Sequence, residues 1–348
     1  MNKNLPRRHF IRYAANTALG VGLFGPLVKP YARTTGEIQA RIGIIGLDTS
    51  HSIAFTKALN GPNPLPAYKG FSIIAAYPHG SADIESSVKR IPGYTEEVKK
   101  LGVEIVGSIE ELLEKTDFIL LETNDGHPHL VQALKVIKAG KPLFIDKPVA
   151  GSLSDAIAIY ETARKYKVPV FSSSSLRYME MAQEVLHGKI GKVIGADTFS
   201  PATLEKTHPD LFWYGIHGVE ILFTVMGKGC KEVVRIHAVD TDVVVGTWQD
   251  GRTGTFRGTR TGTHDYGGTA FGEKANQVLG PFKGYDNLLD QIIGFFKSGI
   301  PPVSAEETLE IYTFMEAADE SKRSGGKSIL LADVYNRHLN KSTTDGKL

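Results

Sequence analysis

Three short apolar runs of the sequence are each followed by glycine or polar side chains that could bind a ligand. They lead into Gly43-Ile-Ile-Gly46-Leu-Asp48-Thr49-Ser50-His51, Asn124-Asp125-Gly-His-Pro-His129 and Asp146-Lys147-Pro148. A glycine-bearing turn from a strand into a helix can hold the phosphates of a dinucleotide, because the helix N–H groups face the anion. A lysine beside an aspartate can bind a hydroxyl or transfer a proton. These residues predict a nucleotide and substrate site built at strand ends.

The first turn departs from the usual dinucleotide fingerprint, GxGxxG. Gly46 can supply the tight turn, but Asp48 stands at the second glycine and His51 at the third. The second glycine normally lets the backbone approach the pyrophosphate, and a carboxylate must turn away from it. After the second apolar run the chain reads Tyr77-Pro78-His79-Gly80-Ser81, without the carboxylate that binds ribose hydroxyls. An ordinary strand–helix turn is the alternative interpretation, and NAD or NADP stays open.

The elements needed to position these residues follow a strand–helix alternation. Strands are predicted at 41–46, 71–76, 103–106, 118–121, 143–145 and 168–171, and helices at 50–60, 128–139 and 155–166. A capping box, Ser108 to Glu111, opens a further short helix. Such alternation predicts a Rossmann-type, doubly wound parallel sheet over residues 40–150, which residues 151–175 complete.

The composition changes after about residue 190. Runs at 193–199, 233–245, 253–261 and 269–271 are rich in Val, Thr and aromatic residues, and helices are expected at 288–297 and 305–324. This pattern predicts an α+β domain over residues 151–335 with a large, open, mostly antiparallel sheet. A polar tail is expected at 336–348.

Whole-chain composition excludes several classes of protein. The 348 residues carry 40 Lys+Arg and 38 Asp+Glu, a net charge of +2, which is too balanced for a basic nucleic-acid binder. One cysteine excludes an intrachain disulfide and a cysteine zinc cluster. His208, Asp210, His217 and Glu220 match no metal-binding spacing, so no metal site is predicted.

The N-terminus carries a candidate export signal. Pro6-Arg7-Arg8-His9-Phe10 places two arginines before a phenylalanine, which is typical of twin-arginine signals, and an uncharged stretch follows from 13 to 28. That stretch is short for a transmembrane helix. We therefore expect residues 1–33 to direct the protein to the periplasm, either cleaved or retained as the only membrane anchor.

The order of these motifs resembles the Gfo/Idh/MocA oxidoreductases, the relatives of glucose–fructose oxidoreductase and inositol dehydrogenase. The resemblance begins at the glycine turn and continues through Asn124 to His129, Ala139-Gly140-Lys141-Pro142 and Asp146-Lys147-Pro148, where the family signature is Glu-Lys-Pro. It extends over Ser175-Leu-Arg177-Tyr178, Gly188-Lys-Ile-Gly191 and Pro302-Val-Ser304-Ala-Glu-Glu, and covers residues 41–331.

The resemblance implies a role for each candidate residue. Lys147 takes the place of the lysine that contacts substrate and nicotinamide, and His217 that of the acid/base histidine on a helix of the second domain. Trp213 stands one turn before His217, where the family has its catalytic aspartate, which puts the standard alcohol dehydrogenation in question. The residues implied for NAD or NADP are Gly43, Gly46, Asp48, Thr49, Ser50, His51, Asn124, Asp125, His129 and Asp146. Those implied for substrate are Arg177, Tyr178, Trp213, Tyr214 and Glu220.

Three functions remain open at this point. The first is an oxidoreductase acting on a sugar, polyol or glycoside with a tightly held cofactor, and self-association is expected by resemblance. The second is a redox-neutral lyase, hydratase or glycosidase that uses Lys147 and His217 on a keto-sugar derivative. The third is a sugar-binding protein without catalysis. The first two functions can be distinguished by whether activity requires a nucleotide.

Overall fold

The first domain of the protein is a parallel sheet with helices on both faces. A computed structural model describes residues 39–344 of the chain. The elements of the first domain are β1 Ala40–Ile45, α1 Ser50–Asn60, β2 Phe71–Tyr77, α2 Glu85–Lys100, β3 Glu104–Ile105, α3 Ile109–Lys115, β4 Phe118–Leu121, α4 His129–Lys138, β5 Leu143–Ile145, α5 Leu153–Tyr166 and β6 Val170–Ser172.

The six strands lie in the order β3-β2-β1-β4-β5-β6, and all neighbouring pairs are parallel. This is the doubly wound Rossmann order, in which chain direction along the sheet reverses between β1 and β4. The strands are short apolar runs because both faces are covered; β5, for example, is buried throughout. Ser108 and Ser152 begin α3 and α5 by accepting the N–H groups of Glu111 and Asp155.

The second domain is built on a larger mixed sheet. Its elements are α6 Glu180–Leu186, β7 Val193–Pro201, α7 Ile216–Met226, β8 Cys230–His237, β9 Thr241–Trp248, β10 Thr253–Thr259, β11 Gly267–Gly272, β12 Asn276–Leu279, α8 Asp286–Ser298, α9 Ala305–Arg323, β13 Ile329–Leu330 and α10 Leu331–Thr344. Seven strands lie in the order β12-β11-β7-β10-β9-β8-β13. All pairs are antiparallel except β10 with β7.

Helix α8 connects the two domains through their cores. Its apolar side chains, among them Leu288, Ile292 and Phe295, belong to the same buried cluster as Ile42, Phe144 and other residues of the first sheet. Phe295 and Phe171 meet ring to edge with centroids 4.9 Å apart. The residues just before α8 are therefore held over the first domain.

The predicted fold class is confirmed: a parallel six-stranded sheet is followed by a mostly antiparallel one. Three local expectations differ. The run 233–245 is two strands, because the chain turns at Ala238–Asp240. Helix α2 was not predicted, since Pro92 lies inside it. The segment expected as a polar tail is helical as far as Thr344.

The predicted signal segment, residues 1–33, lies outside the described residues. Within residues 39–344, none of the helices combines the length and apolar character needed to cross a bilayer.

Candidate active site

The predicted ligand residues meet at the carboxyl ends of β1, β4 and β5. These three strands are neighbours in the first sheet. Asp48 follows β1, Asn124 follows β4, and Asp146 follows β5, so one edge of the sheet carries all of them. Ligands of open α/β sheets bind at this edge, beside the point where strand order reverses.

Gly46 forms the tight turn between β1 and α1. Its φ is +91°, and a Cβ at this position would lie 2.5 Å from the backbone nitrogen of Thr123. Only glycine fits, because conformation and space both exclude a side chain. Gly43 has a different role. It lies inside β1, where a Cβ would lie 3.0 Å from side-chain atoms of Leu112 and Thr116, so its missing side chain lets α3 pack closely.

The N-terminus of α1 is open to an anion. Thr49 precedes the helix, but its hydroxyl donates to Glu122 Oε2 at 3.3 Å and does not cap the helix N–H groups. The first turn, which begins at Ser50, contains no acidic residue, and Arg90 Nη1 donates to the carbonyl of Asp48 at 3.2 Å. Helix N–H groups and a guanidinium favour phosphate. The phosphates of a nicotinamide dinucleotide therefore fit the residues at this turn.

Asp48 directs its carboxylate across the sheet edge. Its Oδ1 accepts the N–H of Asn124 at 3.0 Å, and its Oδ2 fills the space beside Gly80, where a Cβ would lie only 2.0 Å away. The side chain is fully buried, and its Oδ2 has no hydrogen-bond partner. Burial raises the pKa of Asp48 to about 6. The Asp48 carboxylate thus packs against the loop after β2, which contains no acidic residue from 78 to 82.

His51, Glu122 and Asp146 form a buried cluster next to this turn. His51 Nδ1 lies 3.1 Å from Asp146 Oδ1 and 3.9 Å from Glu122 Oε2. Burial and the charge of Asp146 raise the pKa of Glu122 well above its usual value. Burial opposes ionisation of Asp146 too, but His51 and Lys147 hold the pKa of this carboxyl below its usual value. Glu122 was missed in the sequence, although it directly follows β4.

The other predicted residues after β4 have local roles. Both ring nitrogens of buried His129 face backbone carbonyls, with Nε2 2.7 Å from Thr123 O and Nδ1 3.3 Å from Val149 O. This histidine therefore joins the segments that follow β4 and β5. Asp125 Oδ1 accepts the N–H of His127 at 2.8 Å and lies 3.4 Å from His208 Nε2, so it faces the second domain.

Lys147 and two aromatic residues of the second domain form one wall of the cleft. The Lys147 ammonium lies 5.6 Å from the ring centroid of Tyr214 and 6.0 Å from that of Trp213. Both distances are within the range of cation–π attraction. Lys147 and Tyr214 are half-buried, so the ammonium is partly accessible. The predicted lysine and aromatic residues are thus neighbours.

His217 lies on the first turn of α7, beside this wall. Its Nδ1 is 2.7 Å from Ser174 Oγ, and its ring centroid is 5.8 Å from that of Tyr214. Burial, and the positive charge of Lys147, lower the pKa of His217 well below its usual value. The imidazole is therefore neutral near pH 7. With Nδ1 held by Ser174, Nε2 is the nitrogen left for a substrate.

Aromatic rings extend the wall around the cleft. The ring centroid of Tyr266 lies 5.5 Å from that of His217, in an edge-on contact, and 6.2 Å from that of Phe282. The ring centroid of Tyr285 lies 5.8 Å from that of Phe282 and 4.3 Å from that of His51. These three residues were not predicted from the sequence, because they lie in loops distant from every motif. Aromatic faces at this position can pack against the C–H surface of a sugar ring.

Arg177 and Glu220 pair with each other in the interior, and Tyr178 is largely buried. Arg177 Nε donates to Glu220 Oε1 at 2.5 Å and its Nη2 to Glu307 Oε1 at 2.6 Å. Tyr178 packs in the core cluster of the first sheet with Phe171. Glu220 also accepts the hydroxyl of Ser173 at 3.0 Å. A substrate-binding role for these three would need their present contacts to break, and it stays a prediction.

The four residues considered for a metal site are separated. Gly126 N–H donates to His208 Nε2 at 3.1 Å, and Asp210 Oδ2 accepts from Arg235 Nη2 at 2.8 Å. His217 pairs with Ser174 and Glu220 with Arg177. Burial lowers the pKa of His208 to about 4, so this ring is neutral at the domain junction.

Comparison with known families decides the class of the first domain. The model of the GFO_IDH_MocA family, described as an oxidoreductase family with an NAD-binding Rossmann fold, matches residues 40–174. Residues 40–174 are thus similar to the NAD-binding domain of the Gfo/Idh/MocA oxidoreductases. The chain is accordingly an oxidoreductase, and its cofactor is a nicotinamide dinucleotide. No curated protein matches the sequence.

Solved structures share the fold of both domains. A probable dehydrogenase from Thermotoga maritima is 22% identical with a TM-score of 0.68, and the alignment covers 84% of this chain and 99% of that one. Scyllo-inositol dehydrogenase from Lactobacillus casei, solved with NAD(H) and scyllo-inositol, is 17% identical with a TM-score of 0.65 and the same coverage. An Agrobacterium radiobacter oxidoreductase, solved with NAD+, L-tartaric acid and magnesium, is 18% identical with a TM-score of 0.67, covering 85% and 99%. At these identities the likeness concerns the fold.

Proposed function

We propose that the protein interconverts a secondary alcohol and a ketone on a sugar, polyol or glycoside, using a tightly held NAD(P). The observation that carries this proposal is the meeting of Lys147, Trp213, Tyr214 and His217 at one cleft wall. An ammonium, a neutral imidazole and aromatic faces suit a polyhydroxylated ring. The inositol bound to the Lactobacillus casei relative is a ligand of this chemical class.

Each group has one task in the proposed reaction. The dinucleotide, when bound, supplies the hydride acceptor or donor. Lys147 hydrogen bonds to the reacting substrate oxygen and stabilises the negative charge that develops on it. His217 Nε2 accepts the proton of the hydroxyl during oxidation and returns it during reduction. Ser174 fixes the ring of His217 through Nδ1. Trp213 and Tyr214 pack against the ring and restrict how it enters.

The direct test is turnover of a panel of sugars, polyols and glycosides by the wild-type chain, His217→Gln and Lys147→Met. We expect both variants to lose at least about 100-fold in kcat, the usual contribution of a positioned acid/base. His187→Gln is a matched control, because this exposed histidine bonds to Gln183 O at the C-terminal end of α6 and lies outside the site. Equal turnover by the wild-type chain and His217→Gln would falsify the assignment.

The pH dependence of turnover follows from the lowered pKa of His217. The base form is lost only when pH falls through this low pKa, so kcat/KM should remain high well below pH 6.5. Ser174→Ala should move this acid limb, because it removes the partner of Nδ1. An acid limb near the ordinary histidine pKa, unchanged in Ser174→Ala, would contradict this role of His217.

A second candidate is redox-neutral chemistry, such as elimination or hydration of a keto-sugar derivative, at the same Lys147 and His217. It is favoured by the buried Asp48, which replaces a fingerprint glycine, and by Trp213 at the place of the family aspartate. Product formation from a keto-glycoside by nucleotide-free protein would favour this candidate. Strict dependence on NAD(P) would exclude it.

We also propose that the protein is exported to the periplasm by the twin-arginine route. Support comes from Arg7-Arg8 and the uncharged stretch that follows. This route carries folded proteins, so a tightly held cofactor would travel with the chain. The paired variant Arg7→Lys/Arg8→Lys should accumulate in the cytoplasm, whereas Arg12→Lys should be exported normally. Export of both would contradict the proposal.

Self-association is proposed through the outer face of the second sheet. Phe199, Ile236 and Val278 are 39%, 64% and 67% exposed on strands of this sheet, and such apolar surface favours a partner. Light scattering on the purified protein should give a mass above that of the monomer. Ile236→Lys should lower it, while Lys192→Glu outside this face should not.

A further inference from the structure

The buried cluster of His51, Glu122 and Asp146 has the geometry of a metal site. One ligand atom from each residue, the His51 nitrogen and a carboxylate oxygen of each acid, lies within 4.8 Å of the other two. The measured separations from His51 Nδ1 are 3.1 Å to Asp146 and 3.9 Å to Glu122. A cation with bonds of about 2.1 Å places neighbouring ligands roughly 3 to 3.5 Å apart. The separation of His51 and Asp146 is within this range, and that of His51 and Glu122 exceeds it by about 0.4 Å.

The three side chains come from fixed positions of the scaffold. His51 lies on the first turn of α1, Glu122 directly after β4, and Asp146 directly after β5. The backbone N–H of Lys147 also donates to Asp146 Oδ1 at 2.8 Å, and Thr49 donates to Glu122 Oε2. These bonds orient the carboxylates in the way that outer hydrogen bonds orient metal ligands.

Unpartnered polar atoms in the cluster point to a missing ligand. The His51 side chain is 7% exposed and the Glu122 side chain 0% exposed, yet His51 Nδ1 and Glu122 Oε1 have no hydrogen-bond partner. The 3.1 Å contact of His51 Nδ1 with Asp146 Oδ1 is an electrostatic contact between the two side chains. Buried polar atoms normally have partners, because an unpaired one has lost its bonds to water without replacement.

The charge around the cluster also favours a cation. Asp48, Glu122 and Asp146 are buried together at the strand ends. Lys147 is the neighbouring lysine, and it is directed toward Trp213 and Tyr214. A divalent ion would neutralise these acids beside the helix end that receives phosphate. Without an ion, the alternative is a protonated Glu122.

We propose that His51, Glu122 and Asp146 bind one divalent first-row transition metal ion, of the Mn²⁺ or Zn²⁺ class. One imidazole and two carboxylates suit such ions better than Ca²⁺ or Cu⁺. The site goes beyond the proposed function and does not rest on it, because these ligands belong to the folded chain and not to the substrate. The ring of Tyr285, whose hydroxyl lies 3.1 Å from Ser50 Oγ, packs edge-on against the His51 ring at 4.3 Å.

A second histidine–acid cluster provides the comparison. Asp125, His127 and His208 also lie within metal-binding distance of one another. However, His208 Nε2 already accepts the Gly126 N–H, and Asp125 accepts the N–H of His127. Because these ligand atoms have partners, this cluster should not hold an ion.

The test uses the whole exported chain, stripped with a chelator and dialysed. Mn²⁺ binding is followed by electron paramagnetic resonance, and Zn²⁺ by elemental analysis after gel filtration. We expect about one ion per chain for the wild type and for Asp125→Asn, and at least a tenfold weaker affinity for Glu122→Gln. Mn²⁺ should raise the Tm of the wild type but not that of Glu122→Gln. His51→Asn serves as the second variant if Glu122→Gln fails to fold.

Two results would overturn the proposal. One is the absence of Mn²⁺ and Zn²⁺ binding by folded wild-type chain, which would favour a protonated Glu122. The other is equal binding by the wild type and by whichever variant folds. Ion binding by protein that holds no nucleotide would support the metal site and contradict the proposed function. Failure of the metal proposal and failure of the proposed function are therefore distinguishable.

Discussion

At the scale of single residues, the acids of the cofactor cleft are the unusual feature of this protein. A dinucleotide site is ordinarily lined by glycine and helix N–H groups, whereas this one buries Asp48, Glu122 and Asp146. Asp48 is accommodated because it turns toward the loop after β2 and bonds to Asn124 N–H. The turn can thus carry an aspartate while the α1 N-terminus stays open to phosphate.

Asp48→Asn should stabilise the protein at neutral pH. Because the folded-state pKa of about 6 lies above the ordinary 3.8, the folded chain binds more protons than the unfolded chain between these values. The contribution of Asp48 to the free energy of unfolding therefore falls as pH rises through this window, by up to about 3 kcal/mol. The substituted amide keeps a carbonyl oxygen that can accept from Asn124 N–H, and it carries no charge.

Urea unfolding between pH 4 and 7 measures this effect as the difference between wild type and variant. The stabilisation by Asp48→Asn should grow with pH and level off above the folded pKa. Asp83→Asn, an exposed aspartate in the adjoining loop, is the matched control and should follow the wild type. Parallel curves for the wild type and Asp48→Asn would refute the burial argument.

At the scale of elements, the turn between β1 and α1 positions the first half of the site. Gly46 has a positive φ and no room for a side chain, since a Cβ would contact Thr123 of the segment after β4. This contact keeps the ends of β1 and β4 close together. The same closeness brings His51 toward Glu122 and Asp146.

Gly46→Ala should destabilise the protein far more than Gly140→Ala. Both glycines have positive φ, +91° and +71°, but nothing lies within 4 Å of a Cβ at Gly140. Gly140→Ala should therefore cost only the conformational term, about 1–2 kcal/mol. Gly46→Ala should cost several kcal/mol and abolish nucleotide binding. Equal free energies of unfolding for the two variants would show that close packing at Gly46 has no effect.

Local patterns predicted the elements whose signals lie within a few residues. The buried strands, the Ser108 cap and the helix after Gly46 are of this kind. Helix α2 was not predicted because Pro92 interrupts its helical pattern. The helix nevertheless forms, with Val98 buried in the core. The turn at Ala238–Asp240 was not predicted, because it lies inside a long run of β-forming residues and contains no glycine to mark it.

Site residues could be predicted from the sequence only where they directly follow a predicted strand. Gly46, Asp146 and Lys147 meet this condition, and His217 was found through resemblance. Tyr285 was not predictable, because it meets Ser50 across 235 residues of sequence. Arg177 and Glu220 were predicted as substrate ligands, but their types and spacing cannot reveal that they pair with each other in the interior.

At the scale of the whole molecule, two domains share one cleft. Helix α8 belongs to the second domain in sequence but packs in the core of the first, which holds Tyr285 above His51. Two residues of the second domain contact the strand ends from the other side. His208 accepts the Gly126 N–H, and the Trp213 ring lies next to the Lys147 ammonium. The cofactor residues and the substrate wall are therefore covered jointly, which suits a cofactor that stays bound between turnovers.

This cleft binds a nicotinamide dinucleotide, and we propose that the protein uses the cofactor on a sugar-like alcohol. The most direct measurement is to purify the folded protein, denature it, and identify released nucleotides by absorbance and mass. We predict release of NAD or NADP at about one molecule per chain. Release of no nucleotide, together with no binding of NAD or NADP by calorimetry, would contradict it.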